Sequence, residues 1–481
     1  MKRVESDFIG SVEIDQHALY GINSFRARKN FPWARPFPLD WYRSVGLVKH
    51  VYYKTYEKFM KKIYEKYGSH KTLPFRVMAE KEVWALLQAS WEVWQGEHFE
   101  HFIVPAISGG AGTSINMNVN EIIANRTLRI LGRACGDYGI IDPLENCNIF
   151  QSTNDVVPTA LRIAILLQLK NLEQEVQLLR QEIEAKEKEY RYTLRMGATE
   201  WQEAVPTTFG RLFSTYQEAF SRDWWRISKC FERLKVCNLG GSAIGTAVGV
   251  PRFFVFEAIN FLQTFLPFPL ARAENLQDAT ANLDALVESH AILKAYAVNI
   301  EKMASDLRLL SSDLYYEHTL KIAPCQLGSS IMPTKVNPVI SEYAISLAHK
   351  IYANDQLITA LCAQGSLDLN PYLPSIGVAF IESLEVLIAI SRSLRENLIP
   401  TLVISKEKSD SNILLRPTIV TLVVPYIGHK KASVLAKEMK DKKVDIITAN
   451  RTLNLIPEEK LQNILKSENI LKLGFSVEEI L

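Results

Sequence analysis

Six apolar residues stepping by four, three, four, three and four (Ile165, Leu169, Leu172, Val176, Leu179 and Ile183) restrict this 481-residue chain more than any other feature. That spacing puts all six on one face of a helix, while Lys170, Glu173, Arg180 and Glu182 fall off the seam. The helical pattern runs from about Ala160 to Tyr192. At ~1.5 Å per residue, a helix of that length must pack along partners rather than end inside a small domain. Further long patterns occupy about 206–238, 276–312, 338–363 and 372–398. Helical periodicity also runs from Trp41 to about residue 104, and from Asn116 to Arg133 with Gly136 behind it. Long helices joined by short polar loops predict an all-α helical bundle with association between chains. Residues 1–40 read as irregular, and include the proline-rich NFPWARPFPLD. Strand signals are few: TIVTLVVPYI, Thr418 to Ile427, is β-branched, but Pro425 and its isolation argue against a sheet. The division expected is an N-terminal domain over 1–150, a central bundle over 151–402 and a small lysine-rich domain over 403–481.

Composition removes several function classes. Lysine plus arginine number 55 against 53 acidic residues, which gives no reason to expect nucleic acid or an anionic membrane as partner. No run approaches ~18 consecutive apolar residues, so no bilayer span is expected. MKRVESDFIG has no apolar stretch behind its basic residues, so a secretory signal is not expected either. The six cysteines lack CxxC or other ligand spacing and read as free thiols of a reducing, cytoplasmic protein. GGAGTS and LGGSAIGTAVGV are glycine-rich, yet neither is GxxxxGK[ST] and neither follows a clear strand. His98 and His101 lie three apart with no carboxylate set apparent nearby, so neither a metal nor a cofactor is expected.

Four loops carry more small polar residues than solvation requires: 108–126 (SGGAGTSINMNVNEIIANR), 150–160 (FQSTNDVVPTA), 196–206 (MGATEWQEAVP) and 327–338 (LGSSIMPTKVNP). Each precedes a helical pattern, where hydroxyl and amide side chains can cap, and where free N–H groups suit a carboxylate. Taken together, GGAGTSINMNVNEIIANR, QSTNDVVPTA and above all GSSIMPTKVNP resemble the aspartase/fumarase superfamily of lyases, whose signature is GSSxMPxKxNP. The resemblance runs from ALYGINSFRARKNFP through NPYLPSIGVAFIESLEVL to VPYIGHKKA, in order along the chain. It implies a three-domain, mostly helical fold whose long-helix bundle assembles into a homotetramer. Active sites would then be shared, each drawing its three motif regions from three different chains.

The resemblance also implies roles. Ser329 would be the base that removes a proton from Cβ of a small dicarboxylate or amino-acid substrate, on a loop that Gly328 lets open and close. Thr113, Ser152, Thr153 and Ser330 would surround the carboxylate that becomes an enediolate. Lys335 and Asn337 would grip the other carboxylate, and Asn154 would lie near the leaving group. Relatives read G-x-T-H in the third loop; here it is Gly197, Ala198, Thr199, Glu200. The histidine's usual glutamate partner corresponds to Glu342, so Glu200 and Glu342 would share a pocket. Three readings stay open for Glu200: a proton shared with Glu342, a partner for a cationic substrate group, or loss of the usual catalysis. The segment YGINSFRARKNF resembles aspartases more than fumarases, which implies a carbon–nitrogen lyase releasing fumarate and ammonia from L-aspartate. Fumarate hydration, and a lyase-fold protein without lyase activity, are the alternatives.

Overall fold

The computed structural model describes residues 1–68 and 73–480. By compactness the chain divides into two units. The first comprises Met1–Leu172, Arg226–Lys294 and Lys350–Val386; the second comprises Glu173–Trp225, Ala295–His349 and Leu387–Leu481.

In the first unit, β1 (Lys2–Asp7) and β2 (Gly10–Asp15) form an antiparallel hairpin, followed by α1 (Ile22–Asn30). Residues 1–40 are therefore not irregular throughout. The alternation was there to be read, but few of its residues are apolar because only one face packs, around Ile14, Ala18 and Ile22. Next come α2 (Leu39–Tyr67), α3 (Glu80–Trp94) and α4 (Thr113–Ile130). The single periodic stretch from Trp41 to residue 104 is thus broken, with Gly68 in the left-handed conformation ending α2; residues 69–72 lie outside the described residues.

The longest element is α5 (Thr153–Glu189), 37 residues and therefore ~55 Å long. All six seam residues are fully buried along it. Two strands, β3 (Leu194–Thr199) and β4 (Gln202–Thr208), lead into α6 (Phe209–Leu234). After α7 (Arg252–Phe265) and the short α8 (Leu276–Ala281) come α9 (Asp284–Leu310), α10 (Val339–Cys362) and α11 (Leu373–Ser393). The helical run Leu373–Thr401 reaches the length and hydropathy of a membrane span, yet 67% of its most apolar window is buried in the protein, as in a core helix.

Within the second unit, α12 (Lys406–Leu414), α13 (Val424–Lys442), α14 (Ile446–Leu453) and α15 (Glu458–Ile464) build a small apolar cluster with Leu194 and Met196. The stretch 418–427 is not a strand: Pro417–Val423 is a 3-10 helix that runs into α13. Pro425 sits in the first turn of α13, where a missing N–H costs nothing. The branched residues Ile419, Val420 and Val423 are buried in the cluster, so packing overrode local propensity.

Candidate active site

The first unit holds two of the polar loops. Gly110, Ala111 and Gly112 are consecutive left-handed residues with φ of 83°, 55° and 92°. Two of them are glycine, as that backbone demands. The turn delivers Thr113 to the first position of α4, exposed, its hydroxyl donating to the Gly110 carbonyl at 2.7 Å. Ser152, Thr153 and Asn154 lie at the start of α5, all half-buried. The Ser152 hydroxyl accepts the Asn154 N–H at 3.2 Å, and the Asp155 carboxylate accepts the Ser152 N–H at 3.0 Å. Pro158 lies inside α5 and lacks the N–H that would bond the Asn154 carbonyl. Asn238 Nδ2 takes that carbonyl at 2.8 Å instead, while the Asn154 amide donates to the Ala243 carbonyl at 2.8 Å. Asn154 is therefore held from both ends.

Beneath these residues is a buried polar cluster that the sequence reading did not single out. Lys49 is fully buried, and its ammonium donates to Asn148 Oδ1 at 3.0 Å. Asn148 Oδ1 also receives Asn116 Nδ2 at 3.0 Å and Asn120 Nδ2 at 3.3 Å. Asp155, also fully buried, accepts from the Ser242 N–H at 3.0 Å and the Tyr52 hydroxyl at 3.3 Å. Burial raises the Asp155 carboxyl to about 6 and lowers Lys49 to about 7. The available signal was the run of asparagines at 116, 118, 120 and 125 inside an otherwise apolar helical pattern. All four are buried.

The second unit holds the other two loops. Loop 327–338 closes on itself: the Gly328 N–H donates to the Lys335 carbonyl at 3.0 Å, and Asn337 Nδ2 donates to the Gly328 carbonyl at 2.7 Å. A Cβ on Gly328 would meet the Lys335 oxygen at 2.4 Å, so only glycine fits this closure. The closure puts Ser329 at the head of a tight turn, where its Oγ accepts the Ile331 N–H at 3.2 Å and the Met332 N–H at 3.0 Å. Two main-chain donors on one hydroxyl oxygen favour its deprotonated form. Ser330 and Lys335 are exposed, as are Leu327 and Ile331, at 91% and 85%.

Thr199 and Glu200 lie at the tip of the β3–β4 hairpin, which replaces the plain loop read from sequence. Thr199 pairs with Gln202, leaving Glu200 and Trp201 as a two-residue turn with φ of 52° and 63°. Left-handed backbone costs a non-glycine residue ~1–2 kcal/mol, so the tip stores strain. Both residues are exposed, and Glu200 has no hydrogen bond or ion pair among the described residues. Within the chain, Glu200 and Glu342 do not meet in a hydrogen bond. Glu342, in the first turn of α10, instead faces Arg308 at 3.3 Å.

His98 has carboxylate neighbours that its sequence surroundings do not show. The fold brings Glu92 and Glu97 to it, close enough for three ligand atoms to reach one ion. Arg126 already occupies both Glu92 oxygens at 2.6 and 3.0 Å, and His98 Nε2 lies 2.8 Å from one of them. Burial opposes it, but the Arg126 and His98 hydrogen bonds bring the Glu92 carboxyl down to about 2. The arrangement is that of an ion-paired structural carboxylate.

Residues 10–353 match the lyase family profile. The chain is 34% identical to an aspartate ammonia-lyase of a Bacillus species, over 91% of its own length and 90% of that protein's. It is 33% identical to the aspartate ammonia-lyase of Escherichia coli K12, over 98% and 96%. The crystal structure of a Brucella melitensis fumarate lyase:delta crystallin bound to cobalt superposes with a TM-score of 0.89 at 31% identity, covering 97% of this chain and 99% of that one. Similarity at this level along nearly the whole length, on an all-α fold carrying the four polar loops, makes the chain a member of the aspartase/fumarase superfamily of lyases.

Proposed function

We propose that this protein deaminates L-aspartate to fumarate and ammonia. The carrying observation is the Ser329 hydroxyl with the Ile331 and Met332 amides aimed at its oxygen. A serine is a poor base unless its alkoxide is favoured, and this turn favours it. The Cβ–H bond breaks toward Ser329 Oγ, and its electron pair enters the adjacent carboxylate as an enediolate. As the double bond forms, the Cα–N bond breaks and the nitrogen leaves as ammonia. Ser152, Thr153 and Ser330 stabilise the enediolate, each fixed donor being worth ~3 kcal/mol of barrier, and Thr113 joins them by turning its hydroxyl from the Gly110 carbonyl to the substrate. Lys335 and Asn337 hold the other carboxylate, Asn154 lies at the leaving group, and Glu200 faces the substrate ammonium. The similar proteins of Bacillus and Escherichia coli are named aspartate ammonia-lyase.

The site is assembled from three chains of a homotetramer. Support comes from the exposed residues at its edges: Trp201 is 84% exposed beside Glu200, and Ile331 stands in water beside Ser329. Partner subunits would cover both. The test is fumarate absorbance with purified protein, aspartate in one cuvette and malate in another, with light scattering for the mass. Fumarate from aspartate and a four-chain mass are expected. Turnover of malate alone would make the protein a hydratase, and a monomeric active form would remove the shared site.

A further inference from the structure

The buried cluster beneath Thr153 has a direction. A carbonyl can only accept, so the Asn148 atom 3.1 Å from the Gln151 carbonyl must be the amide nitrogen, and the atom 3.0 Å from Lys49 Nζ is the amide oxygen, to which Lys49 donates. An oxygen facing Asn116 and Asn120 fixes both of those amides with their nitrogens inward. The two hydrogens of Asn116 Nδ2 are thereby assigned, one to Asn148 Oδ1 and one to Thr153 Oγ1 at 3.2 Å. Thr153 accepts, so its own proton must point elsewhere.

We propose that Lys49 and Asn116 are positioning residues, which together force the Thr153 hydroxyl to act as a donor to the substrate carboxylate. This rests on the reading that Thr153 contacts that carboxylate. A second observation supports it: the chosen polarity leaves Asn116 Oδ1 and Asn120 Oδ1 buried with no protein partner. The arrangement keeps one hydroxyl pre-aimed, which removes a reorientation from the reaction.

The experiment uses Asn116→Asp, which keeps the shape and replaces the donor with an acceptor. With Asp at 116 the Thr153 proton is drawn inward. The expected result is a kcat for aspartate about 30- to 100-fold lower with KM changed less than about threefold. Thr153→Val is expected to lower kcat similarly, and the double variant to fall no further than Thr153→Val alone. Lys49→Met serves as the second arm: kcat falls about tenfold while Tm is unchanged or higher, because a buried charge has been removed. Additive losses in the double variant, or kcat falling in step with Tm across the variants, would overturn the proposal. If the unmodified protein makes no fumarate from aspartate, the deamination reading fails by itself. The relay is then read from succinate binding by calorimetry: Asn116→Asp must weaken it about tenfold when Thr153 is present and not when valine replaces it.

Discussion

The Thr153 cluster and the 327–338 loop make the same kind of polar contact by opposite means. In the cluster, side chains bond side chains: the buried Lys49 and Asn116 are interlocked through the half-buried Asn148. In the loop, Ser329 is held only by neighbouring amides and a glycine-gated closure, with most of the segment open to water. The difference suits the tasks proposed for them. Donors that stabilise developing charge gain from being immobile before reaction, whereas a base on a closing loop must let substrate enter.

The largest effect expected is for Ser329→Ala, with kcat lowered by about 10³-fold or more and the melting temperature unchanged, since the loop contributes little buried surface. Residual activity within tenfold of the parent would place the base elsewhere. Gly328→Ala should come next, about 10²-fold down in kcat, because the added methyl collides with the Lys335 carbonyl and opens the turn around Ser329. Kinetics at saturating aspartate separate this from a binding defect. A smaller loss, about tenfold, is expected for Glu200→Gln and should appear mainly in KM, as befits a group that pairs with an ammonium rather than one that moves a proton. A flat KM with reduced kcat would favour the shared-proton reading of Glu200.

The smallest effect tests the cluster through stability. The folded carboxyl of Asp155 is raised from 3.8 to about 6, and the folded ammonium of Lys49 is lowered from 10.5 to about 7. Below pH 6 the fold binds a proton at Asp155 that the unfolded chain releases, so this contribution grows as pH falls toward 3.8. Above pH 7 the unfolded chain retains a proton that folded Lys49 has lost, so stability grows as pH rises toward 10.5. The pair is least favourable between about pH 6 and 7, where both groups are charged in the interior. Melting curves of the parent and of Lys49→Met should differ by a few degrees there, and the alkaline rise should vanish in the variant.

The bundle was legible because the step of three and four along Ile165 to Ile183 encodes a buried face directly, and every one of those residues is buried. The four loops were legible from composition. The hairpin at 194–208 was not, since its turn residues Glu200 and Trp201 are neither the asparagine nor the glycine that a two-residue turn ordinarily takes; its geometry is imposed against local preference. The Lys49 cluster was hidden for another reason. A lysine in an amphipathic pattern normally reaches water, and nothing local shows that Asn148, itself bonded by two asparagines of α4, will meet it. The pairing of Glu342 with Arg308 likewise joins positions that share no motif.

Pro158 has a consequence beyond its own turn of helix. By withholding one amide hydrogen it redirects the Asn154 carbonyl to Asn238, so the register of a distant segment is tied to the residue proposed to lie at the leaving group. An alanine at 158 would let the helix reclaim that oxygen. The cost would be borne by substrate alignment, while the helix itself became more regular.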